Sequence, residues 1–285
     1  MKVLIIGSTS VIGRSLATCL LSEHMEVKLA GRRNADITLD LSAWADSPSA
    51  EEDFDVVVHT AADFGGARDE DFIRTELVNS VGTLSACSLA SRVNAKHFVL
   101  ISSIFSTYSS FDPYYGIYAL SKRHSEEVAQ FYCQERNIPL TVLRPSQVYD
   151  DAGNCRTHQE LLYLMADKAQ RGEPITLFGS NDATRNYLHI GDLSEIIKRV
   201  IQTRQTGIYA CAHPQSSRLS EMASAAYRAF GTQDRGAVVY LREKADLLDL
   251  PLCTEFELYS KIGYRPQIAI ADGYARIKDY RERWS

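Results

Sequence analysis

The chain has 285 residues, enough for one large α/β domain or for a main domain with a smaller appendage. Hydrophobic residues make up 45% of it and charged residues 24%, which excludes a disordered or fibrous protein. With 31 Lys and Arg against 36 Asp and Glu, the net charge of -5 gives no overall positive field for nucleic acid or an anionic membrane. An anionic substrate would therefore need locally placed arginines.

The apolar stretches and the cysteines favour a cytoplasmic protein. The longest apolar runs hold about six residues, well short of the roughly 20 that cross a bilayer, so we expect no membrane span. The N-terminal run ends at Gly7 and is shorter than the core of a signal peptide, which indicates a strand. Six cysteines are scattered without a C-x-x-C pair, so the sequence predicts neither a metal site nor a disulfide framework.

Short apolar runs alternate with stretches of helical spacing, a pattern typical of a parallel sheet covered by helices. In chain order the predicted strands are residues 2–6, 26–29, 55–59, 97–101 and 139–143, and the predicted helices are residues 11–22, 69–91 and 115–137. Further on, the pattern changes to a helix near residues 158–171, a strand at 175–178 and mixed short elements. We predict an α/β fold with a doubly wound parallel sheet in residues 1–149 and a smaller C-terminal lobe in residues 150–285. Part of that lobe, near residues 185–210, is expected to return to the first domain.

The first predicted turn joins the strand at residues 2–6 to the helix at residue 11 and has the sequence GSTSVIG, residues 7–13. A tight turn there lets backbone N–H groups and the helix N-terminus approach a pyrophosphate. Ser10 stands where the three-glycine form of this turn has its middle glycine. Because serine tolerates a positive φ less readily than glycine, we expect a slightly different or strained turn. An ordinary strand-to-helix turn is the alternative.

Arg32 and Arg33 follow shortly after the second predicted strand, and no acidic residue stands at that point. An acidic residue there favours NAD, whereas an arginine can meet the 2′-phosphate of NADP. The sequence therefore predicts NADP as the cofactor, with Arg32 as the residue that selects it. NAD stays the alternative, since two arginines after a strand are also found in ordinary solvated turns.

Tyr118 and Lys122 stand at i and i+4, on one face of a predicted helix. A tyrosine with a pKa near 10 exchanges protons poorly near pH 7, and lowering that pKa by about three units takes about 4 kcal/mol. The ammonium of Lys122 and a cationic nicotinamide ring would together supply it. By itself such a pair is common by chance.

The pair is accompanied by other motifs in a fixed order along nearly the whole chain. These are the glycine turn, VHTAA at residues 58–62, Asn79 before Gly82 and Thr83, the Ser102-Ser103 pair at a strand end, LRP at residues 143–145 and RNYLHIGDL at residues 185–193. In this order the sequence resembles the extended short-chain dehydrogenase/reductase family, the NAD(P)-dependent nucleotide-sugar epimerases, dehydratases and reductases.

The resemblance implies a Rossmann-type first domain and a substrate-binding role for the second. It implies that Tyr118 is the proton donor or acceptor and that Lys122 lowers its pKa and binds the nicotinamide ribose. It also implies that Ser103, with Ser102 as the alternative, orients the sugar oxygen. The implied cofactor-binding residues are Gly7, Thr9, Ser10, Val11, Ile12, Gly13, Arg32, Asp40, Leu41, Ala61, Ala62, Tyr118 and Lys122.

Arg185 resembles the arginine with which this family holds the nucleotide diphosphate of its substrate. Pairing with Asp182 or Asp192 is the alternative. We accordingly predict a nucleotide-sugar as the small-molecule partner, no nucleic acid and no membrane partner, and a homodimer.

The residues after Ser103 limit the choice among the reactions of the family. Dehydratases carry an Asp-Glu pair and combined epimerase-reductases a cysteine there, but Ile104 and Phe105 have no titratable proton. Core or surface roles are favoured for Cys155 and His158, which lie near the expected substrate site. We predict the reduction of a keto-sugar with Tyr118 as proton donor. The alternatives are an NAD-dependent 4-epimerase and a non-catalytic NAD(P)-binding regulator, which would not need the intact Ser103, Tyr118 and Lys122.

Overall fold

A computed structural model describes residues 1–43, 52–250 and 256–284 of the chain. Within these ranges the strands are β1 (Lys2–Ile6), β2 (Glu26–Gly31), β3 (Ile37–Thr38), β4 (Val56–His59), β5 (Phe98–Ile101), β6 (Leu140–Pro145), β7 (Gln147–Tyr149), β8 (Ile175–Phe178), β9 (Thr184–Arg185), β10 (Tyr187–His189), β11 (Gly207–Cys211), β12 (Ser217–Arg218) and β13 (Val238–Leu241). The α-helices are α1 (Val11–Ser22), α2 (Asp69–Glu76), α3 (Gly82–Arg92), α4 (Ile117–Arg136), α5 (Glu160–Arg171), α6 (Ile190–Thr203), α7 (Leu219–Phe230), α8 (Glu257–Ile262) and α9 (Ile270–Arg283). None of these helices is long and apolar enough to cross a membrane.

Seven parallel strands form the central sheet in the order β11-β6-β5-β4-β1-β2-β3. The strand order runs outward in both directions from β1 and β4, so the crevice between the carboxyl ends of these two strands is the switch point where such sheets bind ligands. The α/β, doubly wound parallel fold predicted from the sequence is thereby confirmed.

The strands β1, β4 and β5 are apolar on both faces because helices cover the sheet on both sides. Every residue of β4 and β5 is buried, including His59 at the end of β4. Helix α3 contributes Ala86, Leu89 and Ala90 to the same core as Leu4, Val57, Phe98 and Val142 of the sheet. The core thus fixes the strand ends that carry the candidate site.

The chain divides into two compact units. The first consists of residues Met1–Pro145, Ser194–Cys211 and Glu257–Tyr264, and the second of Ser146–Leu193, Ala212–Phe256 and Arg265–Ser285. The second unit contains three two-stranded sheets, β7 with β10, β9 with β12 and β8 with β13. Its core includes Leu162 and Met165 of α5, Met222 and Ala226 of α7, and Tyr274 of α9. The assignment of dinucleotide binding to residues 1–149 and of substrate binding to residues 150–285 stays a prediction.

The predicted helix at residues 69–91 differs most from the structure. It is divided into α2 and α3 by a π-helical turn at Leu77–Val81. The wider turn carries buried Asn79, whose Nδ2 donates to Asp63 O at 2.7 Å and to Ser121 Oγ at 2.9 Å. Pattern alone did not reveal this turn because the apolar spacing continues through it.

Candidate active site

The turn after β1 is closely packed and depends on glycine at two positions. Gly7 has φ of +117°, and a Cβ there would lie 2.5 Å from Thr60 Oγ1 and 2.9 Å from Ala61 N. A Cβ on Gly13 would lie 2.6 Å from the carbonyl oxygen of Gly7. A side chain at either position would push the turn, with its backbone N–H groups, away from the carboxyl ends of β1 and β4.

Ser10 caps helix α1 without strain. Its φ is -63° and its ψ 136°, and its side chain accepts a hydrogen bond from Gly13 N at 3.3 Å. The expected strain at Ser10 was therefore wrong, because this position needs an extended N-cap conformation, which serine favours, and not a positive φ. No acidic side chain occupies the first turn of α1. The first turn of α1 thus brings no carboxylate of its own to the positive end of the helix dipole.

The end of β2 carries the residues predicted to meet the adenosine side of a dinucleotide. Arg32 and Arg33 are exposed, and Ser8 Oγ donates to Arg33 O at 2.6 Å. The hydroxyl and backbone N–H of Ser42 hold the pKa of Asp40 below its usual range, with a smaller contribution from Arg32. Leu41 is buried against Gly82, where an added Cβ would lie 2.8 Å from the Leu41 Cβ.

Two further predicted cofactor residues, Ala61 and Ala62, follow β4 directly and are half-buried. The backbone N–H groups of Thr60 and Ala61 both donate to Ile6 O, at 2.8 and 3.2 Å. These bonds join the end of β4 to the start of the glycine turn. The predicted residues around β1, β2 and β4 are therefore gathered at one edge of the first unit.

Helix α4 carries three functional side chains at i, i+4 and i+8 that contact three consecutive residues at the end of β5. Tyr118 lies beside Ser103, whose hydroxyl favours the phenolate, and Lys122 Nζ donates to Ile101 O at 2.9 Å. Glu126 Oε1 accepts a hydrogen bond from Ser102 Oγ at 2.5 Å. The helix face predicted from the Tyr118 and Lys122 spacing thus lies against the strand end that holds both candidate serines.

Ser102 and Ser103 differ in what their hydroxyls do. Ser102 Oγ donates to the Glu126 carboxylate, whereas the Ser103 hydroxyl lies beside Tyr118 and accepts from Phe105 N at 3.3 Å. Ser103 has extended backbone and caps the short 3-10 helix Ile104–Thr107. Of the two hydroxyls, that of Ser103 has the geometry for a reaction at the phenol.

Burial sets the protonation state of this group. It raises the pKa of Tyr118 to about 12, against the opposing effect of the hydrogen bond with Ser103. It lowers the pKa of Lys122 to about 8, against the opposing charge of Glu126. Near pH 7 Tyr118 is therefore a neutral phenol and Lys122 is mainly an ammonium ion.

Aromatic side chains surround the phenol. The ring of Phe64 stacks on that of Tyr118, with 5.1 Å between centroids and 12° between planes, and Phe105 meets it edge-on at 6.3 Å. Asp63, next to Phe64, is held by Arg74 and Thr75, which fixes the start of this loop. Phe105 thus contributes an apolar wall beside the phenol.

His59 lies under the site at the end of β4. It is buried, and burial lowers its pKa to about 3, with a further lowering by the charge of Lys122 and an opposing hydrogen bond to the backbone of Ile6. The imidazole is therefore neutral and adds no charge beside Lys122. The sequence indicated His59 only as part of the VHTAA motif.

Sequence reasoning also missed Glu126 and Phe64. Glu126 stands four residues after Lys122, so the helical period that joined Tyr118 to Lys122 was a signal that could have found it. Phe64 lies in a loop, where no period applies, and only the structure brings it to Tyr118.

Arg185 belongs to the second unit, whereas Ser103, Tyr118 and Lys122 belong to the first. Arg185 is buried, and its NH1 donates to Thr184 O at 2.9 Å and to Leu248 O at 2.7 Å. The two carboxylates weighed as its partners accept other bonds. Asp182 accepts from the N–H and hydroxyl of Ser220, and Asp192 from the backbone N–H groups of Gln267 and Ile268.

Cys155 and His158 show no sign of catalytic activation. Cys155 is buried, its N–H donates to Asp150 Oδ1 at 2.9 Å, and burial raises the pKa of its thiol. Burial also lowers the pKa of His158. A thiol with a raised pKa is a poor nucleophile, as expected for a residue that stabilises the loop.

Comparison with known proteins agrees with this fold. Residues 3–212 match the model of the NAD dependent epimerase/dehydratase family. A UDP-glucuronic acid decarboxylase of Arabidopsis thaliana is 24% identical over 74% of this chain, although the match spans only 50% of that relative. The structure of a UDP-N-acetylglucosamine 4-epimerase from Bacillus cereus, 17% identical, covers 98% of this chain and 99% of its own, with a TM-score of 0.79. RMD from Pseudomonas aeruginosa, complexed with NADPH, is 18% identical over 99% of both chains, with a TM-score of 0.77.

The chain belongs to the NAD dependent epimerase/dehydratase family. The predicted family, an NAD(P)-dependent group of short-chain dehydrogenase/reductase enzymes, is thereby confirmed. Whether the cofactor is NADP or NAD, and the roles of the individual site residues, stay predictions.

Proposed function

We propose that this protein is an oxidoreductase that reduces a keto-sugar linked to a nucleotide, with Tyr118 as proton donor. The observation that carries the proposal is the placement of Tyr118 beside Ser103 on the helix whose Lys122 Nζ donates to Ile101 O at 2.9 Å, at the carboxyl edge of a sheet that also holds the glycine turn. A carbonyl oxygen that accepts from both hydroxyls would receive the phenolic proton as the carbonyl carbon receives a hydride. The products are an alcohol and a phenolate that regains its proton from solvent.

The residues around the glycine turn fit a nicotinamide dinucleotide. Gly7, Ser10 and Gly13 allow a tight turn that leads directly into the N-terminus of α1, so the backbone N–H groups of both can bind a pyrophosphate. The first turn of α1 has no carboxylate to repel it. When bound, the cofactor supplies the hydride for reduction or accepts one in oxidation. Lys122 would hold its ribose, and Ala61 and Ala62 leave room beside the end of β4.

The neutral phenol of Tyr118 is the form from which reduction starts. Reduction requires a phenol that gives up a proton, whereas oxidation of an alcohol requires a phenolate that accepts one. Because burial raises the pKa of Tyr118 to about 12, the neutral phenol dominates near pH 7. The alternative, 4-epimerisation through a transient ketone, uses the same Ser103, Tyr118 and Lys122 and is the activity named for the Bacillus cereus protein.

The exposed arginine after β2 supports NADP as the cofactor. We expect Arg32→Asp to weaken NADP binding and to favour NAD relative to it, because the new carboxylate repels the 2′-phosphate and can accept from a ribose hydroxyl. Calorimetric titration of both cofactors measures the change. Arg136→Asp, which changes an exposed arginine in the last turn of α4, is the matched control for the change of charge. Equal NADP-to-NAD preference before and after Arg32→Asp would exclude the assignment.

One assay separates the proposed activities. The purified protein is mixed with NADPH or NADH and a panel of nucleotide-linked 4-keto-sugars, and cofactor oxidation is followed by absorbance. A reductase consumes one cofactor per sugar reduced. A 4-epimerase interconverts UDP-glucose and UDP-galactose without net consumption, and a regulator binds cofactor with no turnover of any sugar tested. Either of the last two results would contradict the reductase.

A homodimer is also proposed, formed through α2, the π-helical turn and α4. Ile73, Leu77 and Val81 recur every four residues and are exposed, as is Phe131 on α4. The two helices are joined by the bond between His124 Nδ1 and Glu76 Oε1 at 3.1 Å. A row of exposed apolar side chains on one face is typical of an interface. Sedimentation at micromolar concentration is expected to give a dimer, and a monomer would contradict the proposal.

The cytoplasmic location stays a prediction.

A further inference from the structure

Glu126 is the junction of four segments of the first unit. Its carboxylate is buried and accepts from Ser102 Oγ after β5, from Ser106 Oγ of the 3-10 helix at 2.6 Å and from Arg144 of β6. Arg144 approaches it with two nitrogens, Nε at 2.9 Å from Oε1 and NH2 at 2.5 Å from Oε2. The guanidinium of Arg144 has donors only, so its bonds match a carboxylate that accepts at both oxygens.

These bonds fix the segment that carries Ser103. Ser102 and Ser106 flank Ser103 and the start of the 3-10 helix, and both hydroxyls end on the same oxygen, Oε1. Arg123, three residues before Glu126 on α4, donates from Nε to Ser106 O at 3.0 Å. The hydroxyl of Ser103 therefore has its position set from both sides by α4, the helix that also carries Tyr118.

Glu126 also faces Lys122 from one helical turn away. The groups around the Lys122 ammonium are neutral Tyr118 on α4, neutral His59 on β4 and the carbonyl of Ile101 on β5, with Arg144 of β6 on the far side of Glu126. The charge of Glu126 opposes the effect of burial on the pKa of Lys122. Without that charge the ammonium would be less stable in its buried position.

We propose that Glu126 is a positioning residue with two tasks, holding Ser103 against Tyr118 through Ser102 and Ser106, and balancing the ammonium charge of Lys122. The part of the proposal that is tested by turnover rests on the proposed function. The effect of Glu126 on the charge of Lys122 is tested in the protein alone and does not depend on that function.

The two tasks separate in two substitutions. Glu126→Gln keeps the size of the side chain and removes its charge. Because the pKa of Lys122 then falls below about 8, we expect the alkaline limb of kcat/KM to move about one pH unit or more downward.

Glu126→Asp keeps the charge and shortens the reach to Ser102. It should leave that limb in place and lower kcat about tenfold or more through misplacement of Ser103. Glu127→Gln, exposed on the same helix, is the control.

A readout without substrate keeps the test independent of the proposed function. Lysines labelled with 13C at Cε are titrated by NMR in the cofactor-free protein, and the Lys122 signal is assigned by its loss in Lys122→Arg. The midpoint of Lys122 should fall in Glu126→Gln and stay unchanged in Glu126→Asp and Glu127→Gln. A wild-type protein inactive on every sugar, with the expected NMR shift, would count against the proposed function and not against Glu126.

Two results would overturn the role of Glu126. One is an unchanged Lys122 midpoint and pH profile in a folded Glu126→Gln, which would leave the residue with a structural role alone. The other comes from Ser102→Ala, which tests positioning even where Glu126→Gln does not fold. This variant should lower kcat with the Lys122 midpoint unchanged, and full activity in it would contradict the positioning of Ser103 through Ser102.

Discussion

Replacing Tyr118 by Phe should lower turnover by about 10²-fold or more, the usual range for loss of a general acid. The change removes one oxygen from a ring that keeps its stacking on Phe64 and its edge contact with Phe105. Cofactor affinity should be nearly intact, because the ring still fills its place and Lys122 keeps its bond to Ile101 O. Steady-state kinetics with the substrate found in the sugar panel, together with cofactor titration, measure both quantities.

Tyr132→Phe is the matched control, since Tyr132 lies on the same helix and packs against the core away from Ser103. It should change turnover by less than about twofold, within the small effect of a peripheral substitution. A Tyr118→Phe variant that retains most of its activity would exclude Tyr118 as the proton donor. Loss of cofactor binding together with activity would instead give Tyr118 a binding role.

The sequence predicted those features of the site that depend on local spacing. Tyr118 and Lys122 were placed on one helix face by their separation of four residues, and Gly7 and Gly13 were placed by the strand and helix on either side. Both inferences use a period or a turn that a short stretch of chain determines by itself. The same reasoning located Ser10 correctly and was wrong about strain there, because the first residue before a helix is extended and not left-handed.

Contacts between distant segments could not be predicted in the same way. Glu126 lies 24 residues from Ser102 and 18 from Arg144, and their meeting depends on how α4 packs across β5 and β6. The choice between Ser102 and Ser103 stayed open for that reason. Once Glu126 is seen to take the Ser102 hydroxyl, only the hydroxyl of Ser103 lies against Tyr118.

Burial also explains why the pKa values of Tyr118 and Lys122 shift in opposite directions. Removal from water disfavours the charged form of each, so it raises the pKa of the phenol and lowers that of the ammonium. Between about pH 8 and pH 12 both groups are mainly neutral. As the pH rises, Lys122 should therefore lose its charge well before Tyr118 loses its proton. In our proposal Glu126 sets the pH at which Lys122 begins to lose that charge.

Replacing Arg185 by Ala should raise the KM for a nucleotide-sugar about ten- to hundredfold, corresponding to about 1.5–3 kcal/mol for a charged hydrogen bond. In a chain of net charge -5 a diphosphate needs a local cation, and the planar guanidinium suits phosphate oxygens. Cofactor binding should be unchanged, because Arg185 belongs to the second unit and the glycine turn to the first. Titration of the variant with nucleotide-sugar and with NADP measures both affinities.

Two controls separate binding by Arg185 from its role in the fold. Arg185 NH1 holds the carbonyls of Thr184 and Leu248, so the melting temperature of Arg185→Ala must be compared with that of Arg185→Lys, which keeps a donor and the charge. Arg228→Ala removes an exposed arginine of α7 in the same unit and should leave KM unchanged. If nucleotide-sugar affinity is unaltered in a folded Arg185→Ala, or if NADP binding falls equally, Arg185 holds β9 and the loop at Leu248 together and a diphosphate-linked substrate loses its main support in this chain.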